Sequence, residues 1–265
     1  MIPLLLSPVP ISFYLLYNSY APSSKLTPGR QIMLDLIVSG LFSYFIYYLT
    51  SPYSNPPDFL AWMGFTISVD NYGGMLSCCS IILVLYIGPL VQTAFIEDEG
   101  PEFNLPELKS YVTDAFVQEI MFRICSVNLF LACGFGFSVS AFFSAGLYTW
   151  SQCFGYFKGL TMENAVKHGK LNEIVQDILR QFVFAMMLGY MYIRTGSLLA
   201  VVLVHIFKNF MGFPDLDFVL SSHRLYSNRK VIGLGYLFGI VAGSYLFKLI
   251  LMDPELFTPW HVTLY

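Results

Sequence analysis

Apolar residues in this chain occur in long unbroken runs, and the charged residues, prolines and glycines gather between the runs. Crossing the hydrocarbon core of a bilayer takes a helix of about 20 predominantly apolar residues. Eight stretches approach that length: approximately residues 1–18, 31–50, 73–95, 115–133, 135–156, 174–194, 197–213 and 231–252. Gly73 to Phe95 contains no charged residue at all. The uncharged stretch from Ile124 to Phe157 is too long for one span, and Gly134 and Gly136 mark its turn. No internal repeat, low-complexity tract or linker sets a soluble domain apart. The pattern predicts an all-α polytopic membrane protein of about eight transmembrane helices, packed as one bundle in a single domain over residues 1–265.

Composition sharpens this picture. Hydrophobic residues make up 56% of the 265 positions and charged residues 12%, about half the charged share of a typical soluble domain. Fourteen Lys and Arg and 17 Asp and Glu cannot clothe a soluble protein of this length. Most soluble enzyme classes are therefore excluded. No basic run of the kind that binds nucleic acid appears, so nucleic acid is not an expected partner, whereas membrane lipid is. The apolar N-terminus lacks a basic leading segment and reads as a first span rather than a cleaved signal. The five cysteines lie in apolar stretches without zinc or disulfide spacing and read as buried free thiols.

Lys and Arg concentrate in cytoplasmic loops of membrane proteins. With eight spans, Lys25, Arg30, Lys109, Lys158, Lys167, Lys170, Arg224, Arg229 and Lys230 all fall in alternate loops, and the opposite loops hold only Arg194. Both termini are thus expected on the non-cytoplasmic side.

Ionisable groups within spans mark either a functional site or an internal pairing. They are Asp35, Glu119, Arg123, His205, Lys208 and Lys248, with amides at Gln118 and Asn209. Lys248 sits near a span end and can snorkel, and Asp35 lies close to an end as well. Glu119 and Arg123 share one helical face, as a structural ion pair or as part of a site. His205 and Asn209 are spaced in the same way on another span, where interhelical hydrogen bonding is the plainer role. Metal binding is not expected, because the other histidines lie outside the spans and no His-Glu-x-x-His motif occurs. A Gly-x-Ser-x-Gly hydrolase elbow is also absent. No cofactor is expected.

The run Gln118-Glu119-Ile120-Met121-Phe122-Arg123 resembles the Glu-Glu-x-x-x-Arg motif of the CAAX prenyl endopeptidase family, the type II Ras-converting enzymes of the endoplasmic reticulum. His205-Ile206-Phe207-Lys208-Asn209 and the following Phe210-Met211-Gly212-Phe213-Pro214 are similar to that family's His-x-x-x-Asn helix and its tail. Trp62-Met63-Gly64-Phe65, Tyr86-Ile87-Gly88-Pro89-Leu90-Val91-Gln92 and Ile193-Arg194-Thr195-Gly196 also match by type and order, so the resemblance covers about residues 60–255.

The resemblance implies an eight-helix membrane fold and removal of the last three residues from prenylated proteins ending in Cys-a-a-X. It implies a glutamate and a histidine that activate water, and a second histidine and an asparagine that stabilise the oxyanion. Carried over by position, the water-activating glutamate falls on Gln118 and its histidine partner on Leu147, in Phe143-Ser144-Ala145-Gly146-Leu147. His205 and Asn209 stand at the oxyanion positions, and Glu119 and Arg123 keep their pairing. Three readings follow: a divergent working endopeptidase, a non-catalytic protein that binds prenylated CAAX proteins or peptides, and an unrelated membrane carrier whose polar groups only pack helices.

Overall fold

The computed structural model describes residues 27–51, 58–65, 69–96, 104–159, 171–220 and 222–251. Every regular element among them is helical. The expected span over 1–18 lies outside the described residues.

Eight longer helices follow one another: α1 Pro28–Thr50, α2 Val69–Leu85, α3 Ile87–Ala94, α4 Leu105–Ala132, α5 Phe137–Gly159, α6 Leu171–Thr195, α7 Leu198–Met211 and α8 Arg229–Leu251. Among the described residues, three segments are long and apolar enough to cross a membrane alone: α1, α4 and Tyr226–Leu251, which contains α8. Their surroundings differ sharply. Only 28% of the apolar window of α1 and 22% of that of the α8 segment are buried, against 83% of that of α4. The outer helices turn Leu41, Tyr48, Leu234 and Val241 away from the protein, as lipid-facing surfaces do. The middle of the bundle is α4, wrapped by α1, α5 and α7.

The stretch expected as one span over 73–95 is two helices that meet at a 54° bend. Pro89 explains the break, since it has no N–H for the Leu85 carbonyl and its ring would collide with that carbonyl in a straight helix. The bend also lets α8 come close. A Cβ on Gly88 would lie 2.5 Å from the Tyr236 ring, and one on Gly243 would lie 2.5 Å from the Leu85 side chain.

Helix α4 starts at Leu105, ten residues before the expected 115, where Asn104 caps it by accepting from the Glu107 N–H. Lys109, expected in a loop, therefore sits within the helix. Two carboxylates neutralise it there, Asp114 at 2.7 Å and Asp35 of α1 at 3.3 Å. All five cysteines are free, but only Cys78 and Cys125 are fully buried; Cys79, Cys153 and Cys133, the last in the turn that follows α4, are half-exposed.

The segments that carry the family resemblance meet in pairs. The Trp62 carbonyl accepts from Asn128 Nδ2 and Tyr192 Oη, and Gly64, at φ 81°, lies so close to the Gly196 carbonyl that a Cβ would come within 2.5 Å of it. On the other side of the bundle, Tyr86 donates from its hydroxyl to the Gly212 carbonyl at 3.1 Å. Gly196 and Gly212, both at positive φ, end α6 and α7.

Candidate functional site

The site is built on the inward faces of α4 and α7. Helix α4 widens into π-helical turns over Lys109–Thr113 and again over Ile120–Val127, directly after Glu119. Such turns recur at functional sites. Polar side chains engage the backbone of the second one: Ser126 donates to the Met121 carbonyl at 3.0 Å, and Ser144 of α5 donates to the Phe122 carbonyl. Helix α7 begins at Ser197, whose hydroxyl caps the Ala200 N–H. Its face carrying His205 and Lys208 turns inward.

Glu119 is fully buried and engaged at both oxygens. His205 Nδ1 lies 2.6 Å from Oε1, and Arg123 Nε lies 3.1 Å from Oε2. A carboxylate accepts, so the histidine donates from Nδ1. The arginine contact is ionic, because neither the guanidinium nor Oε2 meets hydrogen-bond geometry. The guanidinium carbon sits 5.1 Å from the centre of the Tyr148 ring, a cation–π distance. The same tyrosine ring stands 6.1 Å from the His205 ring, and its hydroxyl donates to Gln181 Oε1.

Lys208, one turn beyond His205, is only 7% exposed. Its ammonium lies 5.3 Å from the Phe184 ring and 5.0 Å from the Phe213 ring. Phe184 also packs edge-on to His205 at 5.6 Å. Both phenylalanines line an apolar cavity of about 390 Å³, together with Ile82, Tyr86, Val183 and Met187. A second apolar cavity of about 420 Å³ adjoins it through Leu85, Val183 and Met187. These volumes fall within the roughly 300–1,000 Å³ range of small-molecule sites.

The structure thus brings Glu119, Arg123 and His205 together. Asn209 is half-buried and donates from Nδ2 to the Tyr111 carbonyl at 3.4 Å, so α7 grips α4 at two points. Gln118 and Leu147 are half-buried and directly precede Glu119 and Tyr148, the residues that reach His205. Tyr148, Phe184 and Ser144 were not singled out from sequence, although Ser144 lies within the Phe143–Leu147 stretch and Tyr148 directly follows it. Among the described residues, no group of three His, Cys, Asp or Glu side chains is placed to hold a metal ion.

The family described as type II CAAX prenyl endopeptidase Rce1-like matches residues 108–211, which run from the start of α4 to the end of α7. That interval contains Glu119, Arg123, Tyr148, Phe184, His205 and Lys208. Over these helices the chain resembles the CAAX prenyl endopeptidase family. It is similar to CAAX prenyl protease 2 of Homo sapiens, 28% identical over 75% of this chain and 63% of that protein. It is also similar to CAAX prenyl protease 2 of Arabidopsis thaliana, 24% identical over 58% of this chain and 47% of that protein. The chain therefore spans about half to under two thirds of the length of these relatives. No solved structure matches it. The polar cluster coincides with the matched helices, and one apolar cavity opens beside it at Phe184 and Phe213.

Proposed function

We propose that this chain recognises prenylated Cys-a-a-X termini at the cytosolic side of the endoplasmic reticulum membrane, and that it hydrolyses them far more slowly than a family member with an intact water-activating pair. The observation that carries this reading is the double engagement of Glu119, with one oxygen on His205 and the other on Arg123. A carboxylate committed in this way is a poor base. Gln118 and Leu147 stand where the family pattern has its water-activating glutamate and histidine, and neither side chain takes up a proton at neutral pH. General-base assistance contributes about 10²- to 10⁴-fold, which sets the expected deficit.

Recognition rests on other features. One apolar cavity borders the polar cluster through Phe184 and Phe213, a second adjoins that cavity, and His205 and Asn209 keep the oxyanion positions. The Lys and Arg distribution supports a multi-pass chain with both termini lumenal and the site facing the cytosol. Prenylated CAAX proteins or peptides and membrane lipid are its partners.

The test is restoration. The double variant Gln118→Glu, Leu147→His should release the a-a-X tripeptide from a farnesylated peptide at least about 100 times faster than the unmodified chain. Retained binding with no gain in cleavage would show that more of the machinery is gone than these two groups.

The 2.6 Å contact favours one second reading. A carboxylate that orients a histidine through Nδ1 leaves Nε2 of the neutral ring able to take a proton, as in other carboxylate–histidine pairs. Under that reading the unmodified chain cleaves, and His205→Ala abolishes the cleavage.

A further inference from the structure

The polar cluster carries more positive than negative charge. Glu119 is set against both Arg123 and Lys208, and among the described residues no carboxylate lies within 4 Å of the Lys208 ammonium. Burial of an ion is costly even after relaxation. The local compensations are smaller. Cation–π contacts and the dipole at the last turn of a helix each offset only part of that cost. An anion beside Lys208 would balance the cluster.

The surroundings restrict what that anion is attached to. Phe184 and Phe213, the two rings against the ammonium, are also walls of the apolar cavity. An occupant of the cavity that approaches Lys208 is therefore apolar along most of its length and anionic at one end. In the family motif His-x-x-x-Asn, Lys208 occupies one of the positions the motif leaves unspecified.

We propose that Lys208 binds the free C-terminal carboxylate of the prenylated peptide, and so sets the register of the peptide against His205 one turn away. This rests on the peptide-recognition reading above and adds the group that reads the end of the chain. The lysine acts by positioning and exchanges no proton with the substrate.

The full chain in phosphatidylcholine vesicles distinguishes the possibilities, using a fluorescent farnesylated Cys-a-a-X peptide with either a free C-terminal carboxylate or a carboxamide. The unmodified chain is expected to bind the acid at least about tenfold more tightly than the amide, the size of a charged hydrogen bond. Lys208→Met should lower acid binding to the amide level and leave amide binding unchanged, and Lys208→Arg should keep the preference. Equal binding of both peptides by the unmodified chain overturns the proposal, leaves peptide recognition standing, and needs no variant to fold. A preference that survives in Lys208→Met, or loss of both peptides in that variant, also overturns it. Failure of the unmodified chain to bind either peptide overturns the recognition reading and this inference with it.

Discussion

His205 and Glu119, 86 positions apart in sequence, meet at 2.6 Å between α7 and α4 and tie the C-terminal half of the bundle to its central helix. Both side chains are almost completely buried. A contact of this kind positions the histidine and at the same time removes the carboxylate from the pool of free bases. Its consequences for stability and for chemistry are separately measurable.

Removing one partner of a buried ion pair leaves the other charge uncompensated, at a cost of about 3–5 kcal/mol. Glu119→Gln is expected to destabilise the purified protein by that order in detergent unfolding, and Arg123→Met by a similar amount. The double variant should lose much less than the sum, because it leaves no lone charge from this pair. Strict additivity in the unfolding midpoints would mean that the two side chains act independently.

The packing of α8 on α2 and α3 depends on absent side chains. Gly88→Ala would place a methyl 2.5 Å from the Tyr236 ring and 2.7 Å from its Cα, with backbone that cannot step aside. A loss of about 1–3 kcal/mol is expected, as for other overpacked sites. Gly40→Ala on α1 meets nothing within 4 Å and should be neutral or slightly stabilising. Comparable melting temperatures for the two variants would contradict the close approach of α8.

Phe184 touches His205, Lys208 and the cavity together. Phe184→Ala is expected to weaken binding of a farnesylated peptide by at least about tenfold, since burying such a ring is worth about 1.5–3 kcal/mol. Leu234→Ala on the outer face of α8 should leave binding unchanged. Equal effects would indicate that the cavity is not the binding site.

Much of the architecture was legible because lipid imposes a simple rule on composition. The helix at 31–50 is found at Pro28–Thr50, that at 174–194 at Leu171–Thr195, and that at 231–252 at Arg229–Leu251. The rule fails where hydropathy is not the controlling quantity. Pro89 bends an uninterrupted apolar stretch without changing its hydropathy, and Lys109 enters a helix because two distant or local carboxylates receive it. The π-helical turns of α4 leave no mark in the residue pattern. At the site, spacing along one helix exposed the Glu119–Arg123 pair. The contact from Glu119 across to His205 depends on how α4 and α7 dock, which periodicity does not encode.

The proposed function requires that the chain hold a prenylated peptide while lacking a free base beside the scissile bond. One purified preparation decides it, assayed both for binding of a farnesylated Cys-a-a-X peptide and for release of the a-a-X tripeptide. Binding with cleavage at least about 100-fold slower than an intact family member is the expected result. Cleavage at a comparable rate would contradict it.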